Sequence, residues 1–363
     1  NEVNLALRRR QTGSSIKMFV LTAALEAGAQ ASDLIDGTLP CTFPNPGLPE
    51  EPFVITKGVS HPVSPLAEQT WLSINCAYAR LAQIVGLNRV VNMTYRLASS
   101  SYLSRDLYTI QPYASFSTGA NELSALDMAS GTQTIANGGI HNEPYFIEKI
   151  EDANGVLFQY EQLCVPPLDV EPCRVLSNEV ALRTVDTMKG SIQFGTARRT
   201  ALEVAAPIMD KPRPAAGKTG TQDDNTNAWF VGYTKQLTTA VWVGDPRGGQ
   251  KYPMKGVTIN GRYYSQVFGS TMPGPIWRDS LIGALEGTPE TAWDLNTLNG
   301  VNAGGHGNEI TATKDKCAGL EEEELVACKS KSALKKYAAE LAAGTYILDP
   351  VTGQIIDPLT GQV

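Results

Sequence analysis

Ser14 and Lys17, in the run Thr12-Gly13-Ser14-Ser15-Ile16-Lys17-Met18-Phe19, are a nucleophile and a base one helical turn apart. Side chains three residues apart on a helix share a face. A serine hydroxyl attacks only when something accepts its proton. A lysine amine can accept it once burial and neighbouring positive charge bring its pKa down towards neutrality. Peptide dipoles at a helix start favour the negative charge that develops beside such a serine. Alone the pair is a weak signal, because Ser332-Ala333-Leu334-Lys335 repeats the spacing in a charged, solvated stretch. Its bland reading is a helix N-cap followed by a surface lysine.

Two further clusters carry the same kind of chemistry. Lys218-Thr219-Gly220 is a fixed tripeptide expected by chance at roughly one position in 8,000, so coincidence explains it poorly. At a strand start, Lys218 and Gly220 fall on one face and Thr219 and Thr221 on the other. Glycine there lets a ligand approach the backbone. Lys218 and the two threonine hydroxyls can receive a carboxylate if a twist or bulge brings both faces to a cleft rim. The structural alternative is an edge strand guarded by lysine. Ser73-Ile74-Asn75 adds a hydroxyl and an amide, although Ser-x-Asn by itself reads as a turn or cap.

The elements that must position these clusters are legible in outline. Phe19, Val20, Leu21, Ala24 and Leu25 predict a helix from Ser14 to about Ala27, with Gly28 as its stop. Residues 36–66 are rich in Pro and Gly and read as a long loop with short extended pieces such as Phe53-Val54-Ile55. Helices are expected over Pro65–Leu72, Ala77–Val85, Val90–Ala98, Leu123–Ala136 and Asn178–Lys189, with a helix-like piece after Phe194. Asp152-Ala153-Asn154-Gly155 marks a turn between two strands. Alternation over 215–221, 228–233 and 237–244 predicts three neighbouring antiparallel strands, and Ile276–Leu285 a closing helix. From Gly287 the composition shifts to Gly, Asn and Thr. A charged helix candidate over Leu320–Ala343 and a twofold echo beginning at Asp349 and Asp357 follow. The expected division is 1–287 as the main domain and 288–363 as a linker and C-terminal extension.

The chain has 363 residues, 42% hydrophobic and 18% charged, as a folded globular protein has. A net charge of −7 gives no basic footprint for nucleic acid. No window reaches the roughly 18 consecutive apolar residues of a membrane span, and no signal peptide is visible. The opening Asn1-Glu2-Val3-Asn4, without methionine, reads as the start of an internal fragment. The six cysteines have neither metal-ligand spacing nor a C-x-x-C pair. Cys164 with Cys173 and Cys317 with Cys328 close short loops and are the disulfide candidates, pointing to an oxidising compartment. His61, His141 and His306 lie far apart without carboxylate company and read as surface or loop residues, so no metal and no cofactor is expected. Arg8-Arg9-Arg10 reads as a solvated face.

Taken in order, Ser14-x-x-Lys17, Ser73-x-Asn75 and Lys218-Thr219-Gly220 resemble the Ser-x-x-Lys, Ser-Asp-Asn and Lys-Thr-Gly set of class A β-lactamases and penicillin-binding proteins, with Ile74 in place of the aspartate. Over about residues 4–285 the chain resembles the transpeptidase domain of class A (bifunctional) penicillin-binding proteins of an actinobacterium-like Gram-positive group. Arg10–Lys17 looks like that family's R-x-x-G-S-x-x-K block. Glu122–Ala129 with Ala136–Gly139 is similar to its helix after the second motif, and Asn227–Tyr233 and Ala240–Gly244 to its strands after the third. The resemblance implies an α/β (α+β) fold of the serine β-lactamase and penicillin-binding-protein kind, with an antiparallel sheet flanked by helices and an all-helical subdomain. The family's first strands, membrane anchor and glycosyltransferase domain are expected upstream of residue 1, so membrane association would come only through that segment.

The same resemblance implies a peptidoglycan D,D-transpeptidase, an antibiotic target of the cell wall acting on the extracytoplasmic side of the membrane. Its partners would be peptidoglycan stem peptides, β-lactam antibiotics and other cell-wall synthesis proteins. Ser14 would attack a D-Ala-D-Ala carbonyl, Lys17 would take the proton, and Ser73 with Lys218 would relay one to the leaving amine. The backbone N–H groups of Ser14 and Thr221 would hold the oxyanion, and Asn75 the acyl amide. Thr219, Gly220 and Thr221 would line the carboxylate site. The rival readings are a β-lactamase or D,D-carboxypeptidase, in which water accepts the acyl group, and a non-catalytic β-lactam sensor or wall-binding scaffold. No Glu-x-x-Leu-Asn lies between the second and third motifs to activate water, so deacylation is expected to be slow.

Overall fold

A helix that is apolar all round needs other elements on every side, and the segment behind Ser14 is such a helix. In a computed structural model of the chain, the described residues are 4–46, 50–162, 173–198, 213–248 and 251–298, with the backbone of 347–348 and 355–356. A short strand β1 (Arg10–Gln11) leads into a 3-10 turn, Gly13–Ile16, and then α1 (Lys17–Glu26). Met18, Phe19, Val20, Leu21 and Ala24 are fully buried. The expected single helix from Ser14 is therefore two pieces, with Ser14 in the tighter turn and Lys17 opening α1.

The Pro- and Gly-rich stretch is more ordered than its composition suggests. β2 (Leu34–Gly37) pairs with β5 (His61–Pro65), and β3 (Cys41–Phe43) with β4 (Phe53–Ile55), both antiparallel. The helical part follows as α2 (Leu66–Trp71), α3 (Asn75–Val85) and α4 (Leu87–Ala98). β6 (Glu122–Leu123) pairs back with β1, and α5 (Ala125–Ala136) starts two residues later than the apolar pattern suggests. Ser124 and Asp127 form a reciprocal capping box that sets this start. The hairpin β7 (Lys149–Asp152) and β8 (Gly155–Gln159) turns at the expected residues, and α6 (Asn178–Gln193) completes the helical layer.

β9 (Ala216–Thr221), β10 (Asn227–Tyr233) and β11 (Thr238–Gly244) form an antiparallel sheet in the order β11-β10-β9. Every residue of β10 is buried, because the sheet is covered on both faces. Phe230 packs with Trp277 and Leu281 of α7 (Pro273–Leu285), while Trp229, Val231 and Tyr233 join the main core with α1 and α5. Between β11 and α7 lies a hairpin absent from the sequence reading, β12 (Lys255–Ile259) and β13 (Arg262–Gln266), turning at Asn260-Gly261. Both turn residues have positive φ, as an Asn-Gly hairpin turn requires.

The chain divides into a unit of residues 1–310 and a second of 311–363. The first unit thus runs past the expected boundary at 287. Trp293 and Leu298 are buried in the main core, and the Trp293 indole donates to the Ala136 carbonyl at 2.9 Å. In the second unit, strands Ile347–Leu348 and Ile355–Ile356 pair antiparallel. The helix expected over 320–343 lies outside the described residues, and so does the Asp-Pro echo.

Cys41 and Cys76 form a disulfide that the sequence reading did not pair. It joins β3 to the start of α3 and, with Phe43, Ile55 and Ala79, forms a satellite core. Cys173 is also disulfide-bonded, whereas Cys164, Cys317 and Cys328 lie outside the described residues. Of the arginine triplet only Arg8 is exposed to solvent. Arg9 stacks over Tyr108 at 4.4 Å and donates to the Tyr102 carbonyl, and Arg10 stacks over Trp242 at 5.3 Å. His61 does have carboxylate company, meeting Glu68 at 3.2 Å. No helix among the described residues is long and apolar enough to cross a membrane.

Candidate active site

Three separate stretches of chain meet at two fully buried lysines. Lys17 at the head of α1 and Lys218 in β9 are both 0% exposed. The Lys17 Nζ donates to the Ser73 carbonyl at 2.8 Å and to Asn75 Oδ1 at 2.7 Å, and lies 3.4 Å from Ser73 Oγ. The Lys218 Nζ donates to Ser73 Oγ at 2.7 Å and to the Thr219 carbonyl at 3.1 Å. Ser73 thus stands between two amines contributed by elements about 200 residues apart in sequence.

Ser73 holds this place through its backbone. Its φ of 62° lies in the left-handed region, which costs a non-glycine residue about 1 kcal/mol or more. The turn between α2 and α3 over-determines it. Ser73 N donates to the Thr70 carbonyl and Ile74 N to the Gln69 carbonyl, while the Ile74 side chain is fully buried. An apolar residue at the middle of the motif is therefore a core contact, and the two polar ends face the lysines. Tyr78, one turn along α3, places its ring 5.3 Å from the Lys17 Nζ. It lies outside all three motifs.

No carboxylate hydrogen-bonds either amine among the described residues, and burial is the leading influence on both. Burial pushes the Lys17 amine well below the usual lysine value, and the charge of Lys218 pushes it further in the same direction. Burial brings Lys218 down to about 7. A neutral amine has two N–H donors and one lone pair. The Ser73 carbonyl and Asn75 Oδ1 use the two donors of Lys17, which leaves its lone pair for a proton.

Ser14 is half-buried, and its hydroxyl has no hydrogen-bond partner among the described residues. The backbone before it is pressed against β9. Gly13 has a φ of 54°, and a Cβ built there would lie 2.7 Å from the Thr221 nitrogen. A Cβ on Gly220 would lie 2.4 Å from the Thr12 carbonyl oxygen. Both positions need glycine for the same junction, which sets the peptides around Ser14 beside those of Thr221. The Thr221 hydroxyl accepts from Gly269 N at 3.3 Å, and Thr219, 8% exposed, shares a 2.7 Å hydrogen bond with Thr196. Thr196, too, lies outside the three motifs.

Lys17, Ser73, Asn75 and Lys218 are thus one hydrogen-bonded cluster, with Ser14, Gly220 and Thr221 at its edge along the junction. Among the described residues there is no group of three or more His, Cys, Asp or Glu able to hold a metal ion.

Residues 3–252, more than half of the chain, match the penicillin binding protein transpeptidase domain. Penicillin-binding protein 1A of Mycobacterium tuberculosis is 30% identical over 84% of this chain and 36% of its own length. Its counterpart in Aquifex aeolicus is 32% identical over 80% of this chain and 35% of its own. The chain therefore spans about a third of the length of these relatives. Among solved structures, the penicillin-binding protein PonA1 from Mycobacterium tuberculosis aligns with a TM-score of 0.66 at 30% identity, covering 81% of this chain and 72% of that one. PonA1 in complex with penicillin V aligns with a TM-score of 0.65 at 29% identity, covering 81% and 74%. On the match over residues 3–252 and the fold it shares with these structures, this chain belongs to the penicillin-binding protein transpeptidase domain family.

Proposed function

We propose that this chain is a serine D,D-transpeptidase that cross-links peptidoglycan stem peptides through an acyl-enzyme on Ser14, and that β-lactams acylate the same hydroxyl. The observation that carries the reading is the pair of buried amines that Ser73 joins, Lys17 on its carbonyl and Lys218 on its hydroxyl. The penicillin V complex of PonA1 supports it by likeness.

Ser14 Oγ attacks the carbonyl carbon of the penultimate D-Ala as its proton passes to the lone pair of Lys17. The oxyanion that forms lies against the N–H groups of Ser14 and Thr221, where each donor contributes about 3 kcal/mol in comparable acyl transfers. Collapse breaks the bond to the terminal D-Ala, whose amine takes a proton from Ser73 Oγ. Ser73 recovers one from Lys218, which titrates near neutrality and so gives up a proton readily. Asn75 holds both the Lys17 amine and the acyl amide. Thr219 and Thr221 receive the terminal carboxylate, with Gly220 leaving room beside the backbone. The amine of a second stem peptide then attacks the acyl carbon and passes its proton through Ser73 to Lys218, while the bond to Ser14 breaks and Ser14 Oγ takes back the proton held by Lys17.

The work is placed on the extracytoplasmic face of the membrane, within the cell wall, and this chain is one part of the machinery there. Deacylation by water is expected to be slow, because no Glu-x-x-Leu-Asn lies between the second and third motifs. Incubation with a D-Ala-D-Ala stem pentapeptide and a labelled amine acceptor tests this. Labelled cross-linked product in excess of the hydrolysed tetrapeptide is expected. Hydrolysis alone, or rapid turnover of a penicillin, would replace the reading with a carboxypeptidase or β-lactamase.

A further inference from the structure

We infer that Thr196 is a positioning residue for the carboxylate of the substrate, acting through the hydroxyl of Thr219. The inference rests on the proposed reading of the cleft and extends it to a segment outside all three motifs. Thr196 is exposed, yet its Oγ1 lies 2.7 Å from Thr219 Oγ1 across 23 residues of sequence. A hydroxyl has one proton and two lone pairs. When Thr196 donates into this bond, the proton of Thr219 is freed to point at an incoming carboxylate. A donor aimed in advance loses less on binding than one that must first leave another partner.

The backbone around Thr196 is fixed in a way that serves this contact. Its N–H donates to the Trp71 carbonyl at 3.0 Å, two residues before Ser73, and Ala197 N donates to the Ser191 carbonyl. Gly195 passes so close to Trp71 that a Cβ there would lie 2.2 Å from the Trp71 oxygen. The Trp71 indole in turn donates to the Thr187 carbonyl of α6 and sits 5.3 Å from the Phe194 ring. One short segment therefore ties the end of α2, which leads into Ser73, to the strand that carries Lys218 and Thr219. Its one hydroxyl is directed at Thr219 and not at water alone.

The test compares Thr196→Val and Thr196→Ser with the parent chain, measuring the second-order rate of acylation by benzylpenicillin and by its methyl ester. A hydrogen bond that orients a donor to a charged group changes such a rate by about tenfold or more. Thr196→Val is expected to slow acylation by the free acid to that extent and leave the ester rate unchanged, with Thr196→Ser restoring the acid rate. An equal loss on acid and ester marks a merely structural role and overturns the inference, as does no loss on either. If the parent chain is not acylated by the free acid at all, the reading of the cleft fails first and takes this inference with it.

Discussion

Replacing Lys218 with methionine should make the protein inactive and more stable, and the gain should depend on pH in one direction only. Burial lowers the Lys218 amine from the usual 10.5 to about 7. The unfolded chain therefore binds one more proton than the folded one between those values, and stability rises as pH climbs through that window. At about 1.4 kcal/mol per pH unit, keeping this amine buried lowers stability near pH 7 by about 4 kcal/mol. Methionine fills similar space without that penalty, but it gives up the donors to Ser73 Oγ and the Thr219 carbonyl, at about 1–3 kcal/mol. The variant should be more stable by about 1–3 kcal/mol at pH 7, and the advantage should shrink and then reverse as pH approaches 10, where the lost donors outweigh what is left of the burial penalty. Urea unfolding of both proteins at several pH values measures the difference, because the common groups cancel apart from Lys17, which feels the charge of Lys218. A variant less stable at pH 7, or a difference that stays flat with pH, would refute the argument that Lys218 is held near neutrality by burial.

Acylation by a penicillin should follow a bell in pH. The rate falls in acid as Lys17, held low by burial and by Lys218, takes up its proton. It falls again above about 7 as Lys218 loses the proton it relays; a rate rising steadily to pH 9 would exclude Lys218 as donor. Gly13→Ala, which places a methyl 2.7 Å from the Thr221 nitrogen at a φ of 54°, should lower stability by about 2 kcal/mol or more and abolish labelling. Thermal melts together with penicillin labelling check both effects. The Cys41→Ser/Cys76→Ser double variant should lower stability by about 3–4 kcal/mol for a loop of this size. Because Cys76 follows Asn75 directly, it should also slow acylation, and an unchanged rate in this variant would show that the bridge does not hold the Asn75 end.

What the sequence made legible was which distant residues meet, because their types and order suggest it. Lys17, Ser73, Asn75 and Lys218, expected together from three separate motifs, share one hydrogen-bonded cluster, and alternation over 215–244 revealed the sheet that carries Lys218. What stayed hidden depends on contacts between distant segments. Cys41 and Cys76 lie 35 residues apart, so neither is locally close to a partner, and their pairing appears only when β3 packs on α3. Thr196 sits in an unremarkable Phe-Gly-Thr-Ala run and gains meaning from a hydroxyl 23 residues away. Trp293 falls in a stretch of linker-like composition and is nonetheless core, because its indole reaches the end of α5. The β12–β13 hairpin is different. Its Asn260-Gly261 turn is a local signal present in the sequence, flanked by the β-branched and aromatic residues that strands prefer.

On the proposed mechanism the Ser14 hydroxyl receives the acyl group. Intact-mass measurement after exposure to benzylpenicillin, followed by peptide mapping, shows which residue carries it. A single adduct on the peptide containing Ser14, absent from a Ser14→Ala variant that melts like the parent, is the predicted result. An adduct on another residue, or full labelling of Ser14→Ala, would contradict it.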